Sequence, residues 1–414
     1  MPRKNHKIGL LLICFLSFIY INILNSCNDQ PTDIAYTLLY DTISIYPISS
    51  FDAPLISEVK SYQKNLSLVN VGYMLLGKTD EMKAISLVRF QDVPDTLSHL
   101  TTADIDSVFI HIYPFRYIIG DSLNQRMPFT IHKVTKLWTT QTTWDTLYSN
   151  GDVSDYFDTK VLGTYNAKIP LLDTSEAIRI PLDKELIVEW LQLRPDTNAP
   201  VINYGIALLP DDNSNVIRQF SSQAIGKTHK QPVIYVYYRN KDNEGRLLYL
   251  RSAMDASFVK APKEEEPVIT VQGASSYRGQ MTFDLSNIPD IASIHTAKLY
   301  MKLNRDKTKV GNYGIDSYIL AEINDTTISA TEKPQYVALR DSTDYIYKFN
   351  QINSSVEWWL KHGKKGSMTF FVYGYENEVG RLDRLSFYGL DEKDSANKPV
   401  IKIIYSIRNL KCNQ

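Results

Sequence analysis

The sequence predicts an all-β protein made of two tandem antiparallel β-sandwiches, jelly-roll-like, each with one short helix. Three observations carry this expectation. Many short runs alternate apolar and polar residues with period two, such as Val108, Ile110 and Ile112 against Ser107, Phe109 and His111, which puts one face of each strand into a core. Turn residues cluster between those runs, as in Pro210-Asp211-Asp212-Asn213-Ser214-Asn215. Blocks of sequence also recur in the same order along the chain, so one unit is written twice.

The composition narrows the function classes. A chain of 414 residues, 43% hydrophobic and 22% charged, can bury two or three cores and is not disordered. Its 45 Lys+Arg balance 46 Asp+Glu for a net charge of −1. The basic excess behind nucleic-acid binding is missing, and no nucleic-acid partner is expected. Three cysteines are too few for a disulfide scaffold or a four-cysteine zinc site.

Residues 1–26 read as a signal peptide. Arg3, Lys4 and Lys7 precede an uncharged apolar run from Ile8 to Ile21, well short of the ~20 residues that span a bilayer. Leu24-Asn25-Ser26-Cys27 follows and resembles the lipobox of bacterial lipoproteins, which are cut before the cysteine. The resemblance implies that Cys27 is the lipid attachment site and that the chain meets the membrane through this anchor. Several acyl chains hold durably, at ~0.8 kcal/mol per buried methylene. The alternative is a secreted protein whose cysteine is incidental. Asn28-Asp29 resembles the export signal of some surface lipoproteins, which implies an outer-membrane, cell-surface location. With Cys14 removed and Cys27 acylated, Cys412 is the sole free thiol expected.

Residues 27–49 are expected to form a spacer, 50–240 the first sandwich and 241–410 the second. Phe51-Asp52-Ala53 is answered by Met254-Asp255-Ala256, and Phe90 by Phe283. Ile105-Asp106-Ser107 is answered by Ile294-His295-Thr296, Val188-Glu189-Trp190 by Val356-Glu357-Trp358, and Pro232-Val233-Ile234 by Pro399-Val400-Ile401. The polar stretch Asn240 to Gly245 is the expected boundary. Asp183 to Leu193 and Asn353 to His362 are the expected helices, the second capped by Asn353 and stopped by Gly363. Trp190 and Trp358 are expected in the core, while Trp359 has no counterpart in copy one.

The order Met254-Asp255-Ala256, Val268 to Gly273, Met281 to Leu285, Ile294 to Leu303, Val356-Glu357-Trp358 and Pro399 to Tyr405 resembles the DNRLRE-type domain, a β-sandwich of secreted bacterial proteins. The naming motif is absent. Copy one adds Leu137-Trp138 and Thr143-Trp144, similar to that family's paired tryptophans. Through Ile119-Gly120-Asp121-Ser122, Ile131-His132-Lys133 and Ala207 to Asn215, it also resembles an uncharacterised family of outer-membrane lipoproteins. These resemblances imply fold; relatives of the sandwich include polysaccharide-binding modules and domains with no known ligand.

Candidate ligand-binding residues lie where copy one carries 21 more residues than copy two between Ile105 and Val188. Trp138, Trp144, Tyr148 and Tyr165 offer rings to cover a pyranose face, and Asp145 and Asn150 could bond its hydroxyls. The competing reading, preferred for the two tryptophans, makes Trp138 and Trp144 core residues that pin the loop to the sheet. Asp211 to Asn215 has the oxygen density of a calcium loop but lacks its spaced glycine and glutamate, so a turn is expected. No metal-ligand spacing, nucleophile elbow or phosphate loop appears; no catalytic residue, metal or cofactor is expected. The resulting expectation is a non-catalytic envelope lipoprotein that binds polysaccharide. The alternatives are a structural protein docking on another envelope protein, and a polysaccharide-degrading enzyme.

Overall fold

The computed structural model describes residues 43–64, 66–91, 93–121, 123–168, 176–193, 203–225, 230–260, 262, 268–274 and 277–408. Cys27, the signal segment, most of the expected spacer and Cys412 lie outside the described residues. Among the described residues no helix is long and apolar enough to cross a membrane.

The chain is all-β, as its alternation predicts. The strands are β1 (Ile43–Ser49), β2 (Ile56–Gln63), β3 (Tyr73–Lys78), β4 (Lys83–Phe90), β5 (Ile105–Ile112), β6 (Pro114–Gly120), β7 (Phe129–Val134) and β8 (Phe157–Tyr165). They continue as β9 (Ile178–Pro181), β10 (Ile206–Pro210), β11 (Val216–Ser221), β12 (Val233–Arg239), β13 (Gly245–Lys260), β14 (Ile269–Gln272), β15 (Tyr277–Asp284) and β16 (Ser293–Lys302). The last are β17 (Tyr318–Ile323), β18 (Gln335–Arg340), β19 (Ile346–Phe349), β20 (Lys365–Val372), β21 (Arg384–Phe387) and β22 (Val400–Arg408). Helices are α1 (Trp144–Leu147), α2 (Lys184–Gln192), α3 (Asn353–Lys361) and α4 (Tyr375–Gly380). Every strand pair is antiparallel, as in β5 with β12 and β16 with β22.

The duplication holds for every strand of copy one except β6. In copy one, β8-β7-β10-β4-β13 runs along one layer and β13-β12-β5-β9 along the other, with β6-β11-β3 branching from β4. Copy two repeats this as β18-β17-β20-β15-β2 and β1-β22-β16-β19, with β21-β14 branching from β15. Bridges Leu303↔Phe387 and Lys309↔Arg384 stand where copy one has β6. Val88, Ile131 and Ile206 from one layer meet Val108, Ile110, Ile180 and Val236 from the other in a single core. Met281, Phe283, Ile319 and Met368 meet Leu299, Phe349, Ile401 and Ile403 likewise in copy two.

The expected boundary near residue 240 needs correction. It falls in the β12–β13 hairpin, whose strands pair from Val233↔Arg251 to Arg239↔Gly245. Beyond that hairpin β13 continues along β4, from Ser252↔Phe90 to Lys260↔Lys83. Conversely β1 pairs with β22, and β2 with β15. Leu55, Ile56 and Val59 enter the core of copy two, while Leu250 enters that of copy one. The two copies thus exchange their leading strands. Part of the expected spacer, Ile43–Ser49, is a strand of the second sandwich. Asp52 and Asp255, matched in sequence, do different work. Asp52 accepts from Ser49 N in a turn at 3.0 Å, whereas buried Asp255 accepts from Ser222 Oγ and Gln223 N, each at 2.6 Å.

Two details of the helices also change. Asn353 is not a cap but the first residue of α3; its side chain accepts from Ala297 N at 2.7 Å and donates to His295 O at 2.9 Å. The chain does turn at Gly363, with φ at +97°, a conformation open to glycine. Trp359, not Trp358, is the counterpart of Trp190. Trp190 and Trp359 are each 2% exposed, against Phe90 at 5.9 Å and Phe283 at 4.9 Å respectively. Trp358 is half-buried, donates to Asp325 Oδ2 at 2.8 Å and stacks on His362.

The copies share a third apolar cluster that joins Leu75, Tyr117 and Ile217 of copy one to Val379 and Leu382 of copy two. Tyr117 Oη accepts from Leu382 N at 2.8 Å and donates to Asp383 Oδ1 at 3.1 Å. Asn312 is bonded to Ile118 in both directions, at 2.9 and 3.0 Å.

Candidate functional site

The extra residues of copy one leave the sheet between β7 and β8 and return across its outer face. Ile85 and Leu87 of β4, Ala207 of β10 and Ala256 and Phe258 of β13 form an apolar floor there with Val134. Trp138 and Leu147, each 0% exposed, lie on that floor. Trp138 Nε1 donates to Tyr204 O at 2.9 Å, and the Arg89 guanidinium lies 5.7 Å from its ring. Trp138 is therefore the residue that fastens the excursion to the sheet, and its place among the ligand candidates is corrected: a side chain sealed on all sides cannot touch a sugar.

Beyond that anchor the chain forms α1, capped by Thr143, whose side chain accepts from Thr146 N at 3.2 Å. The cap aims the helix so that Trp144 and Tyr148, one turn apart, stack at 4.5 Å with planes 18° apart. Both rings are half-buried, Asp145 is exposed, and all three line one cleft of about 630 Å³. Burial, and then the charge of Asp152, push the Tyr148 phenol up to about 12. It is a neutral hydroxyl at any physiological pH.

The opposite wall comes from the exchanged strands. Gln63 ends β2 and Lys64 and Ser67 follow it, while Ser257, Phe258 and Lys260 lie on β13. Lys260 Nζ reaches Asp152 Oδ1 at 3.8 Å. The polar residues of this wall escaped sequence reasoning because no local pattern marks them; only strand pairing brings Gln63, Lys64 and Ser67 beside the excursion.

Two other candidates lie elsewhere. Asn150 is exposed but is not among the residues lining the cleft. Tyr165 stacks on Phe129 at 5.3 Å, at the far end of β8 from Phe157. Phe157 packs near Tyr148 at 6.2 Å, so eight strand steps of about 3.3 Å put Tyr165 roughly 26 Å away. The loop at Asp211 is the turn its composition suggests: Asp211 Oδ1 accepts from Asn213 N at 2.9 Å, and Asp212 pairs with Lys78 at 2.6 Å.

No family model and no curated protein matches the chain. Among solved structures, a "putative secreted protein from Parabacteroides distasonis ATCC 8503" is 10% identical over 89% of each chain, with a TM-score of 0.18. The infectious bursal disease virus VP2 subviral particle is 9% identical, over 88% of this chain and 77% of its own, with a TM-score of 0.12. Likeness this slight carries no argument.

Proposed function

We propose that the protein is a cell-envelope lipoprotein, tethered through Cys27 at the outer membrane, whose copy-one cleft binds polysaccharide without chemical turnover. The observation that carries the binding clause is the stacked Trp144–Tyr148 pair lining a mainly polar cleft. Aromatic faces take the apolar side of a sugar ring, and Asp145, Gln63 and Lys64 supply hydroxyl partners. The lipobox-like Leu24-Asn25-Ser26-Cys27 and the DNRLRE resemblance support the same setting. The enzyme reading finds less support: Asp145 and Asp152 are both exposed, whereas a glycosidase acid is a sheltered carboxyl. The purely structural reading predicts a sealed Trp144 together with an exposed apolar patch elsewhere, and the first is not met, since Trp144 is half open.

Affinity electrophoresis of the full chain through gels holding neutral or anionic polysaccharides tests the binding clause. Trp144→Ala is expected to abolish at least one retardation while the variant still unfolds cooperatively, at a somewhat lower midpoint because Trp144 packs against the apolar floor and stacks on Tyr148. No retardation in any gel by the parent protein would remove the carbohydrate clause.

A further inference from the structure

The outer face of the β13-β12-β5-β9 layer carries a second array of rings. Cross-strand pairs share a face, so the registers Tyr235↔Tyr249, Tyr235↔Phe109 and Phe109↔Pro181 form one row. The next row is Arg251, Val233, His111 and Arg179; the third is Leu247, Tyr237 and Ser107. Tyr235 lies 5.1 Å from Tyr249 and 4.2 Å from His111, and Phe109 lies 6.3 Å from Tyr237. Tyr249 is 48% exposed, and Arg179 and Arg251 are exposed at the two ends of their row.

The fold does not require these rings. At the matching places of copy two stand Lys402 for Tyr235, Lys298 for Phe109 and Ser49 for Tyr249. The core beneath is built equally well under either set. Nor does a carboxylate occupy any of these rows. Acids begin beyond them, at Asp106, which is paired with Arg239 at 3.2 Å. Burial, and then the Arg179 charge, lower the His111 pKa, which keeps its ring neutral at pH 7. Its Nε2 is buried with no hydrogen-bond partner among the described residues, a polar atom without a protein group to satisfy it.

We propose that this face is a second polysaccharide site, selective for chains bearing carboxylates or sulfates. The Arg179 guanidinium lies 3.9 Å over the Phe109 ring, so the Tyr235, Tyr237 and Tyr249 rings are the ones that cover sugar faces, and Arg179 and Arg251 take the anionic groups as bidentate donors. The size fits a chain better than a protein. Three strand spacings by two two-residue steps give about 14 by 13 Å, or ~200 Å², against the ~800 Å² per partner of a stable protein interface. The assignment rests on the polysaccharide reading for its ligand class, yet it uses none of the cleft residues.

The test is affinity electrophoresis of the full chain with polygalacturonate and with neutral dextran, together with tyrosine footprinting by mass spectrometry. Tyr235→Ala/Tyr249→Ala and Arg179→Gln/Arg251→Gln should each weaken polygalacturonate binding about tenfold, while Trp144→Ala leaves that face working. Polygalacturonate should also protect Tyr249 from modification in the unmutated protein, a readout independent of any variant's folding. Full affinity in both double variants, or protection confined to Tyr148, overturns the assignment. So does protection of Tyr249 by another envelope protein but not by polygalacturonate, since the face would then be a protein-docking surface.

Discussion

A fragment that stops at residue 240 is expected not to fold, because the strand that closes copy one lies beyond it. β13 supplies Leu250, Ala256 and Phe258, all at most 5% exposed. Burying a leucine and a phenylalanine contributes roughly 1.5–3 kcal/mol each. Its ladders run from Val233↔Arg251 to Arg239↔Gly245 on one side and from Ser252↔Phe90 to Lys260↔Lys83 on the other. Even a handful of those backbone bonds adds ~0.5–1.5 kcal/mol apiece. Asp255 goes too, stranding its donors Ser222 and Gln223. Together these losses rival the ~5–15 kcal/mol that holds a whole domain. Residues 64–240 and 64–262 can be compared by circular dichroism and urea denaturation. The longer fragment should melt cooperatively, and the shorter should show no transition. A cooperative transition of similar slope in the shorter fragment would refute the exchange of strands.

The remaining predictions concern single residues. Trp359→Ala should cost about 3–5 kcal/mol, as large buried aromatics do, and Trp358→Phe under about 1 kcal/mol; urea midpoints decide between them. A Cβ on Gly366 would overlap the Trp359 indole, so Gly366→Ala should destabilise copy two by at least ~1 kcal/mol by overpacking. Asp383, at the junction of the copies, has its carboxyl pushed up to about 6, by burial first and by Asp316 in addition. Its folded form holds the proton more tightly than the unfolded chain, whose pKa is 3.8. The resulting stabilisation is complete below about pH 4 and is lost as pH rises through 6, roughly 3 kcal/mol in all. Asp383→Asn should remove that slope; an unchanged difference between pH 4 and pH 7 in the variant would contradict this.

Much of this protein is legible one segment at a time. Val108, Ile110 and Ile112 are only 2, 0 and 0% exposed, because period-two alternation is a property of the strand itself. The repeated order of segments likewise announces two copies. What a segment cannot carry is its partner. A ladder is made by backbone groups common to every strand, so nothing within β1, β2 or β13 says which copy each will close. For the same reason Tyr235, Tyr249 and Phe109, far apart in sequence, read as unrelated polar-face residues until pairing sets them in one row. Neighbouring tryptophans pose a smaller version of the problem: Trp358 and Trp359 differ by about 100° around a helix, and Trp138 and Trp144 by one anchor point on a sheet. The sequence by itself determined the strands, their faces and their duplication. Tertiary structure decided which strands meet and which rings stay open, because pairing and burial are relations between segments that no single segment contains.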